Sequence, residues 1–187
     1  MKKILAAVLC MVFAVSSTFA LTILPKVGAD ISGTMNHEKE PDKETKLGFT
    51  VGAEMRGKIS NYFGWGAGLE YALPRGFAKI NGDNDFSFLP VYISLLFYPL
   101  GEWDNVRPYI KANAGYSIFA TTETDGDISG NIYLSAGIGT EYENFIAEVM
   151  ASTYDGEYDG MWISYQKIGV IFGYKFNIFS NSEWEEE

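Results

Sequence analysis

The chain carries one cysteine, one histidine and six prolines in 187 residues, and past its first twenty residues no apolar run is long enough to cross a bilayer as a helix. Each scarcity removes something. A single thiol, Cys10, leaves no disulfide framework and no thiolate metal site. A single imidazole, His37, leaves no histidine cluster for a metal and no second histidine for a relay. Bases are scarce too: 14 Lys and Arg stand against 24 Asp and Glu, a formal charge of −10. With no basic patch to offset phosphates, no nucleic-acid partner is expected.

The opening residues read as an export signal. Lys2 and Lys3 precede an apolar run from Ile4 to Val15, and the small residues Thr18 and Ala20 suit the −3 and −1 positions of a signal peptidase site. Residues 1–20 are therefore expected to be a signal peptide, with the mature chain starting at Leu21. Cys10 follows Leu9 inside the run, whereas a lipoprotein cysteine closes the run after a small residue, so no lipid anchor is expected. Without Lys2 and Lys3 the formal charge becomes −12 over a stretch the size of one domain.

What the chain has in quantity is alternation. With 20 glycines and 16% aromatic residues, segment after segment repeats at period two and none keeps a helical stripe. Eight such segments are expected to be strands, at about 24–34, 47–57, 62–73, 86–98, 107–120, 130–142, 145–154 and 161–176. Successive side chains of a strand point to opposite sides, so each segment separates into two faces. In the last, Ile168, Val170, Phe172, Tyr174 and Phe176 oppose Lys167, Gly169, Ile171, Gly173 and Lys175. Phe49, Val51, Ala53 and Met55 oppose Thr50, Gly52, Glu54 and Arg56, and Phe63, Trp65, Ala67, Leu69 and Tyr71 oppose three glycines and Glu70. The segment FSFLPVYISLLFYP is apolar on both faces; Leu89, Val91, Ile93, Leu95 and Phe97 are assigned outward.

Alternation by itself does not say which face meets water, because soluble barrels alternate as well. Two features decide. The less greasy face is mostly glycine with single charges of both signs: Asp30, Glu54, Glu70, Glu141 and Glu148 against Arg56, Arg107, Lys111, Lys167 and Lys175. Balanced charges beside glycines suit a narrow interior, where unpaired charge is costly and missing side chains leave room for long ones. The greasy face gathers aromatics at one level, since Phe63, Trp65, Phe97, Tyr142, Phe145, Tyr174 and Phe176 all stand at the same end of their segments, as an interfacial girdle does. Phe49, Tyr71 and Trp162 mark the other end more sparsely. Connections alternate as well: long and polar at 35–46, 74–85, 121–129 and 155–160, mostly short at 58–61, 99–106 and 143–144. The expectation is an all-β, eight-stranded, antiparallel up-and-down transmembrane β-barrel over 21–176, followed by an acidic periplasmic tail at 177–187.

The stretches "FLPVYISLLFYPL" (88–100), "RPYIKANAGYS" (107–117), "LSAGIGTEY" (134–142) and "GVIFGYKF" (169–176) resemble the small outer-membrane β-barrel family of the OmpA/OmpX type, the outer membrane protein beta-barrel domain. They are similar to that family's Pro-bearing fourth strand, Pro-Tyr-opened fifth, Gly-alternating sixth and aromatic last strand. The resemblance implies a bacterial outer-membrane location, recognition by the barrel-insertion machinery through a terminal aromatic at Phe176 or Phe179, and contact with outer-membrane lipid and lipopolysaccharide. The family's last strand commonly ends the chain; here "NIFSNSEWEEE" follows. A peptidoglycan-binding domain, often appended in that family, does not fit in residues 177–187.

No constellation points to catalysis. His37 lies in "NHEKE" without a nucleophile at useful spacing, Glu54, Glu70 and Glu148 read as internal ion-pair partners, and "TDGDISGN" lacks the twelfth-position Glu of a calcium loop. "GAGLE" and "AGIGT" alternate glycine with apolar residues and open no helix, so they are barrel glycines and not phosphate loops. No cofactor and no enzyme activity are expected. The function expected is structural or at the surface, including adhesion, with host or cell-surface ligands meeting the four long loops. The alternatives are a narrow ion-conducting channel controlled by the luminal charges Glu54, Arg56, Glu70, Lys111, Glu141, Glu148 and Lys167, and a soluble periplasmic ligand-binding barrel.

Overall fold

The computed structural model describes residues 21–37, 40–45, 47–75, 86–101, 105–121, 128–158 and 161–179. Its strands are β1 (Leu21–His37), β2 (Glu40–Glu44), β3 (Gly48–Lys58), β4 (Phe63–Arg75), β5 (Phe86–Phe97), β6 (Val106–Thr121), β7 (Ile128–Tyr142), β8 (Phe145–Tyr158), β9 (Met161–Tyr174) and β10 (Phe176–Phe179). Pairing runs β1-β3-β4-β5-β6-β7-β8-β9 and returns from β9 to β1, every pair antiparallel, so eight staves close into a barrel. Closure leaves the wall no free edge.

The stagger of the barrel can be followed residue by residue. Starting at Leu21, the register passes through Gly57, Trp65, Leu95, Ala112, Ala136, Ala151 and Ile168 and re-enters β1 at Ser32, eleven residues further along. One of those eleven is Ile31, the extra residue of a bulge between Asp30 and Ser32. A row of paired residues therefore climbs from the short-turn end toward the long-loop end as it circles the wall, which is the strand tilt that closing a sheet requires.

The two faces follow the alternation. Val91, Ile93, Leu95, Ile110, Ile138, Val149 and Phe172 are exposed on the outside, while Glu54, Glu70, Lys111, Glu148 and Lys167 are buried inside. The short-turn end is closed by local hydrogen bonds: Ser60 Oγ accepts from the backbone N of Tyr62 (3.2 Å) and of Phe63 (3.1 Å). At the β7–β8 turn Glu143 takes φ 50°, the left-handed conformation a two-residue hairpin turn demands.

The structure corrects the sequence reading in several places. Strands run further at the long-loop end than the apolar pattern suggests: β8 reaches Tyr158 and β9 starts at Met161, so residues 155–158 of the expected loop 155–160 are paired strand, and 159–160 lie outside the described residues. In the same way 35–46 holds the end of β1 and all of β2, which pair as a hairpin (Thr34 with Glu44, Met35 with Lys43), 74–85 loses its first two residues to β4, and 121–129 loses both ends to β6 and β7. Backbone pairing needs no apolar face, so polar residues such as Asp155 and Glu157 extend the wall beyond its greasy belt. The last strand breaks at Lys175, whose backbone N donates to Asn144 O (2.7 Å), and resumes as β10 against Leu21–Ile23. The tail expected from residue 177 thus begins inside the sheet. Residues 1–20, 76–85, 122–127 and 180–187, and the side chains of His37 and Trp162, lie outside what the structure describes.

Candidate functional site

The lumen holds the residues that chemistry would need. Glu54 on β3 is its centre: Oε2 accepts from Lys26 Nζ (2.7 Å), Lys111 Nζ (2.6 Å) and the Tyr92 hydroxyl (3.0 Å), and Oε1 accepts from Arg56 Nε (2.6 Å). Lys26 also donates to Glu70 Oε1 (3.1 Å) and to Tyr92 Oη (2.7 Å). Lys111 reaches across to Glu148 Oε1 (3.1 Å), which also takes the Tyr109 hydroxyl (2.7 Å) and Arg56 Nη2. Towards the short-turn end Glu141 binds the Tyr98 hydroxyl (2.9 Å) and Lys175 Nζ (2.9 Å), with Arg56 Nη1 at 3.5 Å. Towards the other end Lys167 pairs with Asp30 (2.8 Å) and donates to Thr50 Oγ1 (3.0 Å). In a space closed to water such charges persist only when opposite charges and hydrogen bonds surround them, and here each acid has a base within reach.

Of the luminal residues expected from sequence, Glu54, Arg56, Glu70, Lys111, Glu141 and Glu148 join in one lattice, and Lys167 pairs with Asp30. Arg107, counted with them, sits at the short-turn mouth, where its guanidinium lies 3.8 Å from the Tyr98 ring centre and Nη2 donates to Asn61 O (2.9 Å). Two groups were missed. Lys26 bridges Glu54 and Glu70; it shares the parity of Asp30 in β1, the signal that would have found it. The second is aromatic. Phe88, Tyr92, Tyr133, Tyr154 and Tyr165 pack with Met35 above the lattice, their neighbouring ring centres 4.9–5.8 Å apart, and Leu96, Tyr98 and Tyr109 pack below it. Met35 belongs by parity to the outside, and the bulge at Ile31 turns it inward.

Glycines make the space. A Cβ on Gly68 would lie 2.8 Å from the Tyr92 ring, and one on Gly139 2.5 Å from the Tyr109 ring, so each lets a tyrosine lie flat across the neighbouring strand. Gly139→Val should displace Tyr109 from Glu148 and destabilise the barrel by about 1–3 kcal/mol, the usual cost of overpacking. The check is the urea midpoint of the barrel folded in lipid vesicles; a midpoint within error of wild type would show that the ring is free to move aside.

Outside, the girdle residues Phe63, Phe97, Tyr142, Phe145, Tyr174 and Phe176 are exposed and Trp65 is half-buried. They meet in pairs, Phe63 with Phe97 (5.2 Å between centres), Phe145 with Tyr174 (5.2 Å) and Tyr174 with Phe176 (4.8 Å). Phe49 and Tyr71 are exposed towards the other end.

A closed barrel of eight antiparallel staves, greasy outside and filled with ion pairs inside, has the fold of the small outer-membrane β-barrels. No family model and no curated protein sequence matches the chain. Solved structures do. The attachment invasion locus protein Ail of Yersinia pestis is 17% identical, with 84% of this chain and 99% of that one superposed at a TM-score of 0.53. OprG of Pseudomonas aeruginosa is 17% identical over 84% and 96% at 0.56, and Neisserial surface protein A is 12% identical over 83% and 97% at 0.59. At these identities the likeness is one of fold.

Proposed function

We propose that the chain is a closed, non-catalytic barrel of the bacterial outer membrane that stabilises the envelope and presents its long-loop end to surface ligands. The observation that carries this reading is the double closure of the lumen, an aromatic layer on either side of a saturated ion-pair lattice. A filled eight-stranded interior supports no wide pore. It also weakens the narrow-channel alternative, because among the described residues each luminal carboxylate, Asp30, Glu54, Glu70, Glu141 and Glu148, is held by a lysine or arginine. The same pairing speaks against an acid or base free to act on a substrate. The exposed apolar belt opposes a soluble periplasmic barrel, since a water-facing wall would not present Ile93 at 69% and Ile138 at 64% exposure.

Wall strands continue beyond the belt as the β1–β2 hairpin and the upper parts of β8 and β9, giving a raised rim for recognition. The Yersinia pestis relative is named for attachment and invasion, which supports a binding role for that rim. Refolded protein in planar bilayers should be electrically silent. Discrete steps that change in Lys111→Ala or Glu70→Ala would replace this reading with the channel. In intact cells, protease or antibody should reach segment 35–46; protection there would invert the topology.

A further inference from the structure

The outer wall is not uniformly smooth. A groove of about 980 Å³, in the range of ligand pockets, crosses it from β5 to β1. Two adjacent rows of paired residues line it. The first is Leu95, Ala112, Ala136, Ala151, Ile168 and Ser32. The second is Ile93, Ala114, Leu134, Thr153, Gln166 and Thr34. Four alanines make the floor, and Ile93, Leu95, Leu134 and Ile168 make the rims.

Because each row climbs as it circles, the groove starts deep in the apolar belt at β5 and rises towards the long-loop end at β1. Its chemistry changes on the way: at the low end the outward side chains are all hydrocarbon, with the buried, inward-facing Ser94, Asn113 and Ser135 bordering the groove between them, and at the high end the outward side chains are Thr153, Gln166, Thr34 and Ser32, all uncharged. Lys167, which also borders the groove, turns its ammonium into the lumen to Asp30 and Thr50. The next outward position up β8 is Asp155, paired in register with Ser164.

We propose that this groove binds one acyl chain of an outer-leaflet glycolipid, the chain lying on the alanine floor and its amide and hydroxyl neck meeting Gln166, Thr153 and Thr34. The groove is continuous with the apolar belt, so an alkyl chain and not water fills it. The polarity gradient sets the direction, tail down and headgroup towards the loops. Neutral donors and acceptors match an amide and hydroxyl neck, and Asp155 just above disfavours a phosphate there. This inference rests on the membrane reading given above.

The test is native mass spectrometry of the full barrel, folded in detergent, with an N-(β-hydroxymyristoyl) glucosamine glycolipid competing against dimyristoylphosphatidylglycerol. Wild type should retain one glycolipid, with a preference of about threefold to tenfold, the worth of a net hydrogen bond at the neck. Ala136→Phe with Ala151→Phe fills the floor from outside and should abolish retention, while the heat-modifiable gel shift stays that of folded protein. Gln166→Leu with Thr153→Val leaves the floor open and should keep one bound chain but lose the preference. Equal retention of the two lipids by wild type, or unchanged preference in the filled variant, overturns the proposal. So does a wild-type dimer that the filled variant abolishes, because the groove would then seat a second copy. A barrel that fails to insert into vesicles at all removes the membrane reading itself, whereas insertion without preference removes only the glycolipid.

Discussion

Glu54→Ala is expected to destabilise the folded barrel by about 3–5 kcal/mol, the cost of stripping one partner from a buried ion pair. The carboxylate takes Lys26, Lys111, Arg56 and the Tyr92 hydroxyl at once, and its removal leaves three cations gathered around Glu70 and Glu148. Glu54→Gln should cost nearly as much, since its amide keeps the shape but brings two donors into a space already crowded with them. Removing opposite charges together, as in Glu54→Leu with Lys111→Met, should cost clearly less than the two single losses combined. The measurement is the urea midpoint in lipid vesicles for the two singles and the double. Additive losses would mean that water enters the lattice and that its members act alone.

The second large effect lies on the opposite side of the wall. Val149 faces outward on β8, in register with Ile138 and Val170, and Val149→Arg places a guanidinium within the apolar belt. In hydrocarbon that costs about 2–4 kcal/mol near the midplane, falling towards the interfaces. Val149→Leu at the same position should be near neutral. If water surrounded the barrel instead, the arginine would be harmless or would raise solubility, so this one substitution separates a membrane wall from a soluble one. It leaves the lumen untouched, and its effect should add to that of Glu54→Ala because one side chain faces the outside and the other the lumen, on strands that do not pair.

Period two is a local property of the chain, and what depends on it alone was legible. Ile168, Val170, Phe172 and Tyr174 lie on one side and Lys167, Gly169, Ile171 and Gly173 on the other, as their spacing requires, and the doubly apolar β5 turns Val91, Ile93 and Leu95 outward. The number of wall strands came from the same signal, repeated eight times, while the direction of the greasy face needed two further features, the balanced charges beside glycines and the aromatics gathered at one level.

What the alternation cannot carry is anything set by how the wall closes. The stagger of the barrel brings Lys26, Glu54, Glu70, Lys111 and Glu148 together from five different strands, and nothing in the spacing within any one of them encodes that meeting. Tyrosine is ambiguous by nature, greasy in its ring and polar at its tip, so Tyr92, Tyr109, Tyr133, Tyr154 and Tyr165 declare their inward side only once a hydroxyl partner or a stack of rings is in place. One inserted residue, Ile31, reverses the parity of the rest of β1 and carries Met35 into the lumen. The sequence by itself determined which residues alternate and which face is apolar, because those depend on neighbours along the chain; the partners in the lumen and the groove outside were decided by closure, which depends on residues far apart in it.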